Sequence, residues 1–342
     1  KRSLTFMIDP VILGLDGGAT KVLAQACTID HKSSLITPTG DFAESIYRDA
    51  TTFSHDFSPV ELEQQKKEAS SNTYHISKQE AKQSESITET IARTIREFEG
   101  VIKVSLMGLC FPGIKTPKLD GVSIMANGPR NIKMLSMINN KIKTNNHTKL
   151  MMREIYDDSE CCLIGEWKSS IGKLQNSENA IYIGGGTGIA DGIILGNKIV
   201  DIRNSKKIKR SWELTMPTGK SVEYYLSLGG MLNQWGKGRS IEAMQSLIEY
   251  ATSGDIAACQ IIENASQAFD FLIKNRVSFF QSYGTTPEKI VIGQRLGSML
   301  SDDDNPLSKL IFQRNLAIPI EISTHRNTAA LGAAYKAYDN HK

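Results

Sequence analysis

The sequence predicts an α/β protein built from two similar halves, each a mixed sheet with helices against it. Three observations carry this. A strand, a glycine turn and a second strand stand at "VILGLDGGATKVLAQACTID" (11–30). The same run recurs at "NAIYIGGGTGIADGIILGNKIVD" (179–201), where Gly184 to Gly186 fall on Asp16 to Gly18. Helical periodicities and apolar strands then fill the rest of a chain that, at 342 residues, is long enough for two domains of ordinary size.

Each element follows from its pattern. "VILGLD" (11–16) is an apolar run of strand length, and "VLAQACTID" (22–30) continues as strand until "HKSS" turns the chain into "LITPTG". Residues 41–78 are polar and without sustained period, an extended insertion with a short helix at "PVELEQQKKEAS". Ile87, Ile91 and Ile95 recur every four residues within 79–98, the signature of an amphipathic helix. "VIKVSLMGLCFPG" is a strand ended by Pro-Gly, "LSMINNKIKT" a helix, "KLMMREIYDDSE" a strand running into carboxylates and "ECCLIGEWKSSIG" a helix. After the second hairpin, with its tight turn at Gly196-Asn197, "SVEYYLSLGGMLNQW", "IEAMQSLIEYATSG" and "DIAACQIIENASQAFDFLIKNRVSFFQ" read as helices. "KIVIGQRLG" and "IPIEIS" read as strands, and "NTAALGAAYKAYDNH" as a closing alanine-rich helix. The halves divide as 1–156, carrying the 41–78 insertion, and 157–325, with the helix in 326–342 expected to pack back on the first.

Forty basic against thirty-seven acidic residues, a formal charge of +3, are too evenly balanced for nucleic acid or an anionic membrane to be the main partner. The five cysteines are odd in number and lack CxxC spacing, so neither a disulfide framework nor a zinc knuckle is suggested, and the compartment reads as reducing. No signal-peptide pattern opens the chain, and no apolar run reaches the roughly 18 to 20 residues of a membrane span. A cytoplasmic protein with a small-molecule ligand, and with neither nucleic acid nor membrane as partner, is expected.

The opening turn is not a P-loop: Gly14 to Lys21 lacks the Gly-Lys pair, and the residues after Lys21 read as strand rather than helix. A dinucleotide GxGxxG is missing too. The remaining possibility is a hairpin turn whose N–H groups at Gly17, Gly18 and Ala19 can approach phosphates unhindered, with Thr20 and Lys21 as side-chain donors. Asp16 faces the same space and can hold Mg²⁺ through water. The alternative is a plain hairpin, but the permissive residues of "GGGTG" cost folding entropy for which a structural turn has no use. Two such turns half a chain apart can clamp a triphosphate. "PTGKS" (217–221) ends like a P-loop, yet Leu214 stands where the first glycine belongs and no buried strand precedes it. Asp157 and Asp158 end an apolar strand and open a helix, so one can cap the helix while the other points into a cleft. There a carboxylate can accept the proton of an attacking hydroxyl, although as a pure cap the pair needs no further role.

In this order, the two glycine hairpins, the "GLCFPGIK" and "GVSIMANGPRNI" segments and "DDSECCLIGE" resemble the ROK family of sugar kinases, within the actin, hexokinase and Hsp70 superfamily. The likeness runs from Val11 to Ile199 and resumes at "SVEYYLSLGG", "KIVIGQRLG" and "AALGAAYKA", leaving out 41–78. It implies two actin-like (ribonuclease H-like) domains with an interdomain cleft, and an ATP- and Mg²⁺-dependent kinase acting on a hexose or N-acetylhexosamine, at the primary 6-hydroxyl. "GLDGGATK" matches the first phosphate loop, which implies phosphate roles for Asp16, Gly17, Gly18, Thr20 and Lys21, with Asp16 on the Mg²⁺ shell. "GGGTGIADGIILGNKI" matches the second, implying that Gly185, Gly186, Thr187 and Gly188 reach the β- and γ-phosphates. Gly293 and Gln294 fall on the adenosine side. The sugar would meet Asn127 or Asn131, Asp157, Glu213 and Glu223, and Asp158 takes the place of the family's catalytic base.

The departures matter as well. Asp157 replaces an asparagine that usually binds sugar hydroxyls, and Gln294 stands where the pattern has glycine. The histidine and zinc cysteines of the family's Glu-Ile-Gly-His region are missing from "SWELTMPTGKSVEYYLS", so no zinc is expected. A DNA-binding repressor of this family carries a helix-turn-helix before the first hairpin, and ten residues precede Val11 here. An activator-type ATPase usually carries cysteines spaced for an iron–sulfur cluster, which these are not. An ATPase or sugar-sensing regulator without kinase turnover stays as the alternative, and the resemblance leaves room for a homodimer.

Overall fold

The computed structural model describes residues 11–143, 151–238, 240–313 and 317–342. The chain forms two compact units: the described residues up to Gly172 together with Asn327–Lys342, and Lys173–Arg326. In chain order the first unit contains β1 (Val11–Gly17), β2 (Lys21–Asp30), β3 (Leu35–Ile46), α1 (Leu62–Ser71), α2 (Lys78–Arg96), β4 (Val104–Phe111), β5 (Ile114–Lys115), β6 (Val122–Ile124), α3 (Met134–Lys143), β7 (Ile155–Asp157) and α4 (Asp158–Lys168). The second contains β8 (Ala180–Gly185), β9 (Ile189–Leu195), β10 (Lys198–Ile199), α5 (Val222–Leu226), α6 (Leu228–Trp235), α7 (Ile241–Thr252), α8 (Ile256–Gln281), β11 (Lys289–Gly293), α9 (Gln294–Leu300), α10 (Pro306–Phe312) and β12 (Ile320–Ile322). The closing helix α11 (Thr328–Asp339) belongs to the first unit.

The first sheet runs β3-β2-β1-β4-β7 and the second β10-β9-β8-β11-β12. In each, three antiparallel strands from consecutive hairpins are extended by two parallel ones. The repeat legible in the sequence is therefore a repeat of topology. Register aligns it further: Gly17 pairs with Val22 across the first turn and Gly185 with Ile189 across the second. Asp16 thus has Gly184 as its counterpart, and the second hairpin carries no carboxylate at that place.

In the first unit, Ile87, Ile91 and Ile95 of α2 bury against Leu13, Leu15, Val22 and Ala24 of the sheet, as their spacing requires. Ser77 caps α2 by accepting the Glu80 N–H at 3.0 Å. The opposite face takes α11, with Leu331 and Ala334 against Ile12, Cys27, Ile29 and Ile36. Here glycine is a packing requirement. A Cβ on Gly14 would stand 1.9 Å from the Ala330 carbonyl oxygen, and one on Gly108 would stand 2.0 Å from that of Ala333. In the second unit the long α8 packs Ala265, Phe269, Leu272 and Ile273 into a core shared with Ile181, Ile183, Ile290 and Ile292.

Several elements differ from their sequence reading. β3 continues to Ile46, so the insertion begins as an edge strand whose Ala43 and Ser45 are buried. The helix read over 221–235 is broken at Ser227, whose hydroxyl accepts the Gly230 N–H at 2.9 Å and starts α6. The strand read at "KIVIGQRLG" ends at Gly293, and a helix begins at Gln294. Residues 157–172 fall in the first unit rather than the second. The cause is α4, which lies against α11 so closely that a Cβ on Gly332 would meet the Cys161 carbonyl oxygen at 1.9 Å. Among the described residues no helix is long and apolar enough to cross a membrane.

Candidate functional site

In the first unit the ends of β1, β4 and β7 lie side by side. Asp16 pairs in register with Cys110, and Phe111 with Asp157. Three neighbouring strands therefore deliver Asp16, Cys110 and the Asp157-Asp158 pair to one edge. Asp157 is the helix cap: its Oδ1 accepts the Ser159 N–H at 3.1 Å, the Ser159 hydroxyl at 2.5 Å and the Glu160 N–H at 3.4 Å. Asp158, the first residue of α4, is not the cap. Of the pair, Asp157 is therefore the cap, and Asp158 is left out of the capping bonds.

The electrostatics single out Asp16 and Asp158. Both keep some exposed surface yet are closely surrounded by protein. Burial raises the Asp158 carboxyl above the ordinary range, the charge of Asp157 adds to this, and the ammonium of Lys115 opposes it. Asp16 is pushed up to about 7, first by burial and then by the charge of Asp158, against the hydrogen bond from Cys110 and the charge of Lys21. The Cys110 thiol donates to Asp16 Oδ1 at 3.8 Å. Lys115 is itself buried and donates to the Gly113 carbonyl at 2.7 Å. Sequence reading missed Lys115 and Cys110. One lysine after a Pro-Gly turn and one cysteine inside an apolar strand carry no spacing signal; the sheet register is what brings them in.

The first turn is closed by Gly18, whose N–H donates to the Lys21 carbonyl at 2.8 Å, while the Thr20 carbonyl accepts the Tyr47 N–H at 3.0 Å. Thr20 is exposed, and Lys21 is ion-paired with Glu44 of β3. Gly17 and Gly18 differ in what they need. A Cβ on Gly17 would meet the Phe111 ring at 2.5 Å, whereas one on Gly18 would meet nothing nearer than the Lys21 carbonyl oxygen at 3.4 Å.

In the second unit the same distinction corrects the sequence argument that "GGGTG" has no structural use. A Cβ on Gly185 would meet Leu296 at 2.7 Å and one on Gly188 the Glu223 carboxylate at 2.6 Å. Around Gly186, by contrast, nothing lies within 4 Å of such a Cβ. Thr187 is exposed. Glu223 supports this turn by accepting the Ile189 N–H at 3.0 Å, and burial raises its carboxyl above the ordinary range. Gly293 packs under Tyr182, and Gln294 has a φ of 57°, a left-handed conformation that favours glycine. Gln294 thus holds a glycine-like backbone shape without being glycine, and its side chain lies over Gly184.

The expected sugar residues divide. Asn127 is exposed. Asn131 is buried and committed: its Oδ1 accepts the Lys133 N–H at 3.1 Å, its Nδ2 donates to Met137 Sδ at 3.5 Å, and its backbone bridges Val122. It lines a cavity of about 10 Å³, room for roughly one water. Glu213 is held by Arg210, from the backbone N–H at 3.2 Å and Nε at 3.2 Å. "PTGKS" forms a turn with Gly219 at a φ of 83°, and its Ser221 caps α5.

The residues present fit Mg²⁺ and ATP on two counts. The charge of Asp158 adds to the cost of ionising Asp16, which a divalent cation would relieve, and Mg²⁺ typically takes only one or two protein carboxylates. Gly18 and Gly186 leave open room at the two turns where phosphate oxygens would approach. Among the described residues no group of three or more His, Cys, Asp and Glu side chains is placed to hold a metal ion.

No family model and no curated protein matches this sequence. Solved structures do match the fold. A ROK hexokinase from Thermus thermophilus is similar with a TM-score of 0.60 at 16% identity, over 96% of this chain and 98% of that one. A ROK family glucokinase from Streptomyces griseus, solved with glucose and AMPPNP, gives a TM-score of 0.60 at 15% identity, over 96% and 99%. A ROK family transcriptional regulator, a homologue of the E. coli MLC protein, gives 0.56 at 13% identity, over 97% of this chain and 78% of that one. The chain has the fold of the ROK sugar kinases: two mixed α/β sheets flanked by helices, as the resemblance implied.

Proposed function

We propose that the protein is an ATP- and Mg²⁺-dependent kinase of a hexose or N-acetylhexosamine, with Asp158 as general base. The observation that carries this reading is Asp158 itself. It is freed from capping by Asp157, set at the end of a strand, and raised in basicity by burial and by its neighbour. A base of raised pKa takes the proton of an attacking hydroxyl more readily than an ordinary carboxylate, and the strand end fixes its position.

In this reading Thr20 and Lys21 in the first unit and Thr187 in the second donate to phosphate oxygens, Lys21 exchanging Glu44 for a phosphate, while Gly18 and Gly186, whose N–H groups close their turns onto the Lys21 and Gly188 carbonyls, leave the room for the phosphates. Gly17, Gly185 and Gly188 shape the turns through packing. Asp16 would hold Mg²⁺ through water, and the cation would neutralise phosphate charge. Gly293 and Gln294 take the adenosine side. Asn127 contacts the sugar; Asp157, Glu223, Asn131 and Glu213, each now engaged with a protein partner, would share or exchange that partner for it. The acceptor is the primary 6-hydroxyl.

The test is a coupled ATP-consumption screen with glucose, mannose, fructose, N-acetylglucosamine and N-acetylmannosamine. At least one is expected to raise ATP turnover well above the sugar-free rate. Sugar binding with no turnover above that rate contradicts the kinase and supports the regulatory reading, for which the fold shared with a transcriptional regulator is the supporting observation.

A further inference from the structure

Residues 41–78 lie outside the sequence likeness, and their helix α1 buries two polar side chains, Gln65 and Glu68, against the rest of the first unit. Gln65 is fully buried and grips the backbone of Met125 from both sides. Its Oε1 accepts the Met125 N–H at 2.7 Å, and its Nε2 donates to the Met125 carbonyl at 3.1 Å and to that of Val60 at 2.6 Å. Five residues on, Arg130 is fully buried and spans the insertion and α2. Its Nε and Nη2 fork onto Glu80 at 2.9 Å each, Nη1 donates to Glu68 at 2.5 Å, and Nη2 donates to the His75 carbonyl at 3.1 Å. The Arg130 backbone is held as well, its N–H by Glu80 at 2.9 Å and its carbonyl by the Ser84 hydroxyl at 2.9 Å. Glu68 stays charged: burial pulls its carboxyl up, but the hydrogen bonds from Gln64, the His75 N–H and Arg130 bring it down to about 2.

Both ends of the arch Ala126–Pro129 are thereby fixed, and the exposed Asn127 stands within it. A surface loop of this length would otherwise sample many conformations, and each would present Asn127 differently. We infer that the insertion is a splint for the acceptor-binding arch: Gln65, Glu68 and Arg130 are positioning residues that set Asn127 for the sugar while leaving the ATP side untouched. The inference rests on the kinase reading for the identity of what Asn127 contacts, whereas the splint itself rests on the hydrogen bonds alone. Buried, fully paired charges of this kind cost desolvation, and their best-attested use is to specify one geometry.

The test uses the full chain and the variants Gln65→Leu, Glu68→Gln and Arg130→Lys. Hydrogen exchange is followed over 122–131, with 180–195 as internal control, and KM for glucose, N-acetylmannosamine and ATP is measured in parallel. Exchange over 122–131 is expected to accelerate about 10-fold or more with 180–195 unchanged, and KM for the accepted sugar to rise about 10-fold with KM for ATP unchanged. Unchanged protection over 122–131 overturns the splint. Faster exchange with an unchanged sugar KM overturns the positioning role. If wild type phosphorylates neither sugar nor any other in the screen, the kinase reading falls and the positioning role with it, while the exchange result still decides the splint. A variant whose first unit unfolds would lose protection over 11–30 of that unit as well, and Glu68→Gln, which keeps shape and one acceptor, then decides the matter.

Discussion

Asp16 carries a cost that the rest of the first unit has to bear. Its carboxyl is raised from 3.8 to about 7 in the folded chain, so the fold prefers it protonated. Stability from this group is fully present below the unfolded pKa and is lost as pH rises through about 7. The ligand-free Asp16→Asn protein should therefore melt higher than wild type at pH 8, by on the order of 1 kcal/mol, and lose that advantage near pH 4. Thermal unfolding at the two pH values checks this. Lys115 works on Asp158 in the opposite sense. Lys115→Met should raise the Asp158 pKa further and move the acid limb of the kcat/KM profile to higher pH; a limb that stays in place would detach Lys115 from the base. Asp16 and Asp158 were legible in the sequence because a carboxylate beside a glycine turn and a pair of carboxylates where a strand gives way to a helix are chemically conspicuous. Lys115 and Cys110 were not, since what places them is the register between β1 and β4 and the turn after it. Asn131 was legible as a residue, but the engagement of its side chain with Lys133 and Met137 was not.

At the level of elements, the alanine-rich α11 lies on glycine. Small residues on the helix and glycines in β1 and β4 let backbone meet backbone, and any Cβ there must push the helix away. Gly14→Ala should cost about 1 to 3 kcal/mol in denaturant unfolding, although alanine is otherwise the mildest of substitutions. An unfolding midpoint equal to wild type would mean that α11 shifts freely. Element types were readable from period and apolar runs, and the long amphipathic α2 and α8 most clearly so. Breaks were harder. Ser227 ends one helix and caps the next inside what reads as a single apolar period, and Gln294 begins a helix inside what reads as strand. In both cases a local backbone conformation overrides the pattern, and hydropathy is silent about it.

Across the whole molecule, two sheets of identical order arise from two glycine hairpins with weak sequence likeness. The repeat was visible because hairpin turns and their flanking apolar strands leave a compact signature, whereas the parallel strands β4, β7, β11 and β12 reach their places through long connections. Function has been loaded onto the repeat unequally. The first hairpin carries Asp16 beside Asp158, while the second has Gly184 at the matching place. On the proposed reading this asymmetry puts proton and metal chemistry in the first unit, with phosphate contacts from both hairpins and the adenosine side in the second. The most direct measurement is single-turnover phosphoryl transfer by Asp158→Asn at pH 8, with sugar binding to the variant measured alongside. Transfer slowed by about 10²- to 10⁴-fold with sugar binding retained is the expected result. A near wild-type rate would contradict Asp158 as the base.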